Sequence, residues 1–190
     1  MRVIAIDAAF ANMGLAAATI KTNGVIICQG LQLVSSERED KKVVRKSSDD
    51  LRRAQLLVNA LRLWTQQHRP QIAFAEVPSG SQSAAAARAL GIAVGVLASC
   101  SVPLIEVSPM EVKHLFGAGK KGATKDQIIA WAVKRWPEAG WKRFKGRVTK
   151  NNEHLADAMA VVVAGMETPA FKQLLQLAPL VPQRRAVLKD

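Results

Sequence analysis

Asp7 ends a short apolar run, Val3-Ile4-Ala5-Ile6, at the start of the chain. Such a β-branched run reads as a strand buried on both faces. A charge at its end is costly unless something pairs with it. Ala8, Ala9, Ala11 and Gly14 follow and leave room around the carboxylate. Ile72–Glu76 repeats the pattern, an apolar Ile-Ala-Phe-Ala run closing on Glu76. Further on, Glu153, His154 and Asp157 open a helical stretch whose apolar side is Leu155, Met159, Val162, Val163 and Met166. His154 and Asp157 are three apart and can point the same way, and Glu153, four before Asp157, competes for that face. Taken singly, each is a capping or surface residue. Brought to one place, these carboxylates and an imidazole form a cage of hard donors suited to Mg²⁺ or Mn²⁺.

The elements that must position them follow from pattern and punctuation. Met13–Lys21 and Val25–Val34 read as strands joined at Asn23-Gly24, a strong hairpin signal, so the first third is an antiparallel meander. Ser35–Ser48 is polar and of mixed charge, and reads as a solvated loop. Asp49–His68 carries Leu51, Leu56, Leu57, Ala60, Leu61 and Trp64 at helical spacing, with Pro70 as its stop. Ser83–Cys100 is a helix of small residues, with Gly91 and Gly95 on one face, fit either for core packing or for contact with a second subunit. Leu104–Val107 is a last short strand. Ser108-Pro109-Met110-Glu111 and Thr124-Lys125-Asp126-Gln127 are capping boxes that open helices. Gly117–Thr124 fails as a nucleotide-binding P-loop, because Ala123 stands where Lys is required and a helix precedes it, and reads as a basic loop that touches phosphates. From Thr168 onward the chain reads as peripheral.

The totals narrow the class. A chain of 190 residues with 49% hydrophobic residues makes one domain with a substantial core. Its formal charge of +12 favours a polyanionic partner. Pro137–Asn152 concentrates that charge in Lys142, Arg143, Lys145, Arg147 and Lys150, with Trp141 and Phe144 interleaved, which suits a phosphate groove with stacking. The longest apolar stretch, Ala84–Cys100, is interrupted by Arg88 and is short for a membrane span, and no secretory signal is visible. Cys28 and Cys100 lack zinc spacing and read as reduced core thiols of a cytosolic protein.

The order of these elements resembles the RNase H-like fold and, more closely, the RuvC family of Holliday-junction resolvases, over about residues 2 to 166. The motifs that carry the resemblance are Ile-Ala-Ile-Asp7 with Gly14 downstream, Phe74-Ala75-Glu76, and His154-Leu-Ala-Asp157-Ala-Met-Ala-Val. Val112-Lys113 and Thr124-Lys125-Asp126-Gln127 are similar to the family's basic segments near the scissile phosphate. The family's usual Pro-Gly after the first Asp is replaced by Ala8-Ala9. Its bulky aromatic three residues beyond the strand-4 Glu is replaced by Ser79, so other branched DNA stands beside the four-way junction as a substrate.

The resemblance implies an α/β fold with a five-stranded mixed sheet, three antiparallel strands then two parallel, flanked by helices. The domain would span residues 1–167, with a C-terminal extension over 168–190. It implies a metal-dependent endodeoxyribonuclease that resolves Holliday junctions or related branched DNA by phosphodiester hydrolysis, in the cytoplasm of a bacterial or phage-infected cell. Two Mg²⁺ or Mn²⁺ ions per site are expected. Asp7 would be the bridging ligand, Glu76 and Asp157 flanking ligands, and His154 a ligand or water-orienting base. Lys113, Lys120, Lys121, Lys125, Lys142, Arg143, Lys145 and Arg147 are the expected DNA contacts. A homodimer through helix 83–100 would match the two-fold symmetry of a junction. The alternatives are a non-catalytic branched-DNA or RNA binding protein on the same fold and an RNA–DNA hybrid nuclease. The acids argue against the first, since a binding module gains nothing from negative charge in a basic cleft.

Overall fold

The computed structural model describes residues 1–40, 42–77, 80, 83–116 and 123–177. Ser79, Lys120 and Lys121 lie outside the described residues. The described chain forms strands β1 (Arg2–Ala8), β2 (Asn12–Ile20), β3 (Ile26–Ser35), β4 (Ile72–Glu76), β5 (Leu104–Val107), β6 (Arg143–Phe144) and β7 (Arg147–Val148). Its helices are α1 (Lys46–His68), α2 (Ala84–Ala98), α3 (Pro109–His114), α4 (Lys125–Arg135), α5 (Glu153–Glu167) and α6 (Pro169–Leu177).

The main sheet has the order β3-β2-β1-β4-β5. β1–β3 are antiparallel, while β4 and β5 run parallel to β1. This is the expected five-stranded mixed α/β sheet. The β2–β3 turn is made by Gly24 at φ 79°, with Asn23 Oδ1 accepting the Val25 N–H at 3.2 Å. α1 enters at Lys46, earlier than the polarity of its first residues suggests, and ends at Arg69 in the left-handed region, just before Pro70.

Strand alternation divides the core in two. Ile4, Ile6, Leu15, Ala17, Ala73 and Ala75 face α1 and α2, against Leu57, Leu61, Trp64, Ala93, Val96 and Leu97. Val3, Ala5, Ala16, Ala18, Ile72 and Phe74 face α4, α5 and α6. Because side chains alternate with period two, Asp7, Gly14 and Glu76 fall in phase with this second set and share the face that α5 covers.

α5 is buried nearly all round. Ala156, Ala158, Ala160, Val161 and Ala164 are as inaccessible as the Leu155, Met159 and Val162 of its expected apolar side. It is sandwiched between the sheet and α4, so no face is left for solvent over most of its length. Two glycines permit this seating. A Cβ at Gly14 on β2 would lie 2.6 Å from the backbone carbonyl carbon of His154, and a Cβ at Gly165 on α5 would lie 2.5 Å from Phe74 Cγ. α6 closes the same layer, with Phe171 buried edge-on against Phe74 at 5.3 Å between ring centres.

Trp141 departs from its expected stacking role. It is buried in the second core, and its indole N–H donates to the Trp136 carbonyl at 2.7 Å. Its neighbours in sequence are basic, but its own ring seals the end of α4.

Gly14→Ala should destabilise the fold by about 1–3 kcal/mol, because a helix backbone must move rather than a side-chain tip. Denaturant unfolding of this variant beside Gly165→Ala, which displaces only the Phe74 ring, should show the larger loss at Gly14. Equal midpoints for Gly14→Ala and the wild type would refute this seating of α5.

Candidate active site

Asp7 and Glu76 are register partners on adjacent parallel strands. Their side chains leave the same face of the sheet, so two carboxylates stand about one strand spacing apart. α5 enters this corner by its first turn. The Gly14 contact sets the His154 backbone directly against β2, opposite Asp7, since Gly14 is the register partner of Asp7. His154 Nδ1 and Asp7 Oδ2 are then hydrogen-bonded at 2.7 Å. One helical turn on, Asp157 completes the group: donor atoms of Asp7, His154 and Asp157 all lie within 4.8 Å of one another. Glu76 is outside that cluster but lines the same cleft of about 220 Å³ with Asp7, Asp157, Pro109, Val112, Lys113, Phe116 and Ile128.

Glu153 is turned elsewhere. Its carboxylate is ion-paired with Lys125 at the start of α4. The helix therefore offers His154 to Asp7 and Glu153 to a lysine. Both capping boxes are formed: Ser108 and Glu111 cap α3, and Thr124 and Gln127 cap α4. α3 carries Lys113 to the cleft wall, and α4 carries Lys125 to its Glu153 partner. Lys142, Arg143, Lys145 and Arg147 are exposed on the β6–β7 hairpin, immediately before α5.

Crowding of negative charge has a titration signature. Burial, then the Asp7 charge, pushes the Asp157 carboxyl up to about 7, against a lowering by His154. Glu76 is raised by the same two causes in the same order and lowered by Lys113. The hydrogen bond that the His154 ring donates to the Asp7 carboxylate raises His154. A divalent cation fits this donor set. The groups are hard carboxylate oxygens and an imidazole nitrogen, half-buried, with more negative charge than the neighbouring protein groups neutralise.

Gly14 was legible only as a small residue near Asp7, and its position in phase with Asp7 on the α5 face was the available signal for its role. Arg53 gave no such signal. It is fully buried over the Phe10 ring at 3.9 Å, and its Nε donates to Ser36 O at 2.8 Å. It also reaches Phe10 O at 3.3 Å, and so ties down the loop just beyond Asp7.

No protein-family model matches the chain. The crossover junction endodeoxyribonuclease RuvC of Synechococcus sp. (strain CC9605) is 27% identical over 171 residues, covering 86% of this chain and 96% of that protein. Thermus thermophilus RuvC, solved in complex with a Holliday junction substrate, superposes with a TM-score of 0.64 at 17% identity, covering 92% of this chain and 96% of that one. The yeast mitochondrial Holliday junction resolvase superposes with a TM-score of 0.61 at 11% identity, covering 94% of this chain and 82% of that one. The fold is that of the RuvC-like resolvases. The likeness to RuvC in particular extends along nearly the whole chain in sequence as well as in structure.

The raised acids set a pH dependence for the cation-free protein. Asp157 ionises near 3.8 when unfolded and at about 7 when folded, so the folded state holds an extra proton between those values. The stability from this group is full below the unfolded value and is lost as pH rises through about 7. His154, also raised, acts in the same direction. In EDTA, the melting temperature should fall between pH 5 and pH 8. Asp157→Asn should flatten that fall and stabilise the protein at pH 8 by on the order of 2 kcal/mol. A wild-type melting temperature that climbs over this range would contradict the crowded site.

Proposed function

We propose that the protein is a metal-dependent, structure-selective endodeoxyribonuclease that hydrolyses phosphodiester bonds in Holliday junctions or related branched DNA. The observation that carries this reading is the convergence of Asp7, Glu76 and Asp157 on one cleft, with His154 clustered beside Asp7 and Asp157 and Lys113 on the cleft wall, in a chain of net charge +12. The sequence relative is a crossover junction endodeoxyribonuclease, and the Thermus thermophilus protein of the same fold was solved with a Holliday junction, which supports the substrate class. Among the described residues no helix is long and apolar enough to cross a membrane.

Asp7, His154 and Asp157 would hold one Mg²⁺ or Mn²⁺, and Asp7 with Glu76 a second, because Glu76 stands apart from the three-residue cluster while pairing in register with Asp7. Bound there, such ions polarise a phosphoryl oxygen and make water a competent nucleophile near neutral pH. The chain's own groups do the rest. Asp7 holds His154 through Nδ1 and fixes the ring; this bond favours the protonated imidazole in the cation-free site, and ligation would require the neutral ring, with Nε2 left for the cation. Asp157, raised to about 7 by burial and the Asp7 charge in the cation-free site, would give up its proton on taking the cation. Lys113 lowers the Glu76 pKa and supplies positive charge where a phosphate would enter. The exposed Lys142, Arg143, Lys145 and Arg147, with Lys125, extend that charge along the α4–α5 side for the DNA arms.

α2 supports a homodimer. Ala84–Ala87, Gly91, Val94 and Gly95 are exposed, and a Cβ at Gly91 or Gly95 meets nothing among the described residues. The small-residue face of this helix is therefore not spent on the core of its own subunit. Two copies joined there present two equivalent sites for cuts on opposed strands.

Wild-type protein with Mg²⁺ or Mn²⁺ should cut labelled junctions, flaps or hybrids with a preference for branched DNA, and excess EDTA should stop it. Asp7→Asn should abolish cleavage with binding retained, and His154→Ala should lose far more activity than Glu153→Ala. Undiminished cutting in EDTA would remove the metal assignment, and a preference for RNA–DNA hybrids would move the substrate.

Light scattering should give a dimer mass at micromolar concentration for the wild type, and a monomer for Gly91→Leu with its fold intact by circular dichroism. A wild-type monomer, with junctions absent and present, would leave a single-cut nuclease.

A further inference from the structure

The β6–β7 hairpin is more ordered than a basic linker needs to be. Lys145 at φ 47° and Gly146 at φ 78° form a two-residue turn with both central residues in the left-handed region, the geometry that matches strand twist in a tight hairpin. Its base is bolted to the protein by Asn152, which is fully buried. Asn152 Oδ1 accepts the Lys142 N–H at 2.7 Å, and its Nδ2 donates to Lys142 O and Thr149 O, both at 2.8 Å. Asn152 immediately precedes α5, two residues before His154.

Phe144 stands on this hairpin in an unusual position. The chain has four Trp and five Phe, and every one except Phe144 is buried or half-buried, while Phe144 is 67% exposed. Apolar cover was within reach. Strand alternation turns Val148 toward an apolar cleft lined by Ile129, Ala130 and Val133 of α4. Phe144 pairs with Arg147 and therefore faces the other way, away from that cleft. The cations beside it are Arg147, its partner across the hairpin, and Lys145, whose Nζ lies 5.6 Å from the ring centre. An exposed aromatic ring framed by cations on a rigid arm matches single-stranded nucleic acid, which offers stacking faces between phosphates, and does not match an acidic protein surface.

We propose that the β6–β7 hairpin is a base-stacking arm, with Phe144 stacking on an unpaired or splayed base at the branch of the DNA while Lys145 and Arg147 hold the flanking phosphates. The inference rests on the branched-DNA reading above and names the residue that would tell branched from paired DNA. Fully paired duplex shields its base faces, so Phe144 adds affinity only where a base is free. Because Asn152 fixes the hairpin to the first turn of α5, the stacked base would sit at a set displacement from Asp7, His154 and Asp157.

The test measures binding in EDTA, so its result does not depend on cleavage. Affinities are taken for a paired duplex and for a four-way junction or flap carrying 2-aminopurine at the branch. Phe144→Ala should weaken branched DNA about tenfold, leave duplex within about twofold, and abolish the change in 2-aminopurine fluorescence. Phe144→Trp should retain all three wild-type behaviours, and circular dichroism should show both variants folded. Lys145→Gln should weaken both substrates and reduce the salt slope by about 0.9 on duplex arms. Unchanged branched-DNA affinity in Phe144→Ala, or equal losses on branched and paired DNA, would overturn the proposal. A wild type that distinguishes the two DNAs through Phe144 but cuts neither in Mn²⁺ would keep the stacking arm and remove the nuclease reading.

Discussion

The close approach of α5 to the sheet is the constraint on which the site depends. A helix normally keeps its distance from a sheet because side chains of both layers fill the gap. Here Gly14 removes one of those side chains at the register position of Asp7, and the backbone of His154 occupies the space. The helix can settle that deeply because its sheet-facing residues are mostly Ala and Val, and because Gly165 yields to Phe74 further along. The result is a corner in which a strand-end carboxylate, its neighbour on β4 and two helix side chains meet. That corner is electrostatically unfavourable by itself, as the raised Asp157 and Glu76 carboxyls record. A packed core thus supplies the energy that holds like charges together, and a divalent cation bound there would make the arrangement favourable.

Much of this was legible in the sequence because it rests on period and punctuation. The apolar runs Val3–Ile6 and Ile72–Ala75, each closing on an acid, marked two buried strands that end on carboxylates, and the three-residue step from His154 to Asp157 put both side chains on one turn. The hairpin at Asn23-Gly24 and both capping boxes are local, so local residues sufficed to place them. What escaped depends on contacts that residue pattern does not encode. Trp141 lies in a basic stretch, and only the fold brings the Trp136 carbonyl to its indole N–H. Arg53 looks like a surface residue of an amphipathic helix, yet carbonyls from Phe10 and Ser36, far away in sequence, accept its protons in the interior. The all-round burial of α5 was likewise invisible, because Ala is neutral in any hydrophobic pattern and the layers that cover it come from both ends of the chain.

The charge distribution resolves an apparent conflict between an acidic centre and a basic chain. Glu153 is adjacent to His154 and could have joined the cluster, adding a fourth carboxylate to a corner already short of counter-charge. Lys125 draws it off, at the N-terminal end of a helix that its own capping box fixes in place. The pairing has two consequences. It limits the cage to the groups that cations can balance, and it leaves Lys125 bound to the rim rather than free to fold into the cage. Lys113 plays the complementary part on the opposite wall, facing Glu76. Lys113 and Lys125 are exposed while Asp7, Glu76 and Asp157 are half-buried, so a phosphate approaching the cleft would meet positive charge first.

The same segment that ends the basic stretch begins α5, the helix that carries His154 and Asp157, and Asn152 is the joint. Its side chain fills the hydrogen-bonding needs of Lys142 and Thr149 at the base of the hairpin, and its burial leaves no slack between that base and Glu153. A flexible linker here would let DNA contacts form without bearing on the site. A fixed joint makes the position of the hairpin, the orientation of the first turn of α5 and the His154–Asp7 bond parts of one rigid body. Charge alone would hold any duplex against such a surface, since phosphates carry no information about strand structure. Discrimination needs a group that responds to base exposure, and Phe144 is the one exposed Phe or Trp side chain available for it. With Phe144 as that group, selectivity and catalysis would be coupled through the length of one short hairpin.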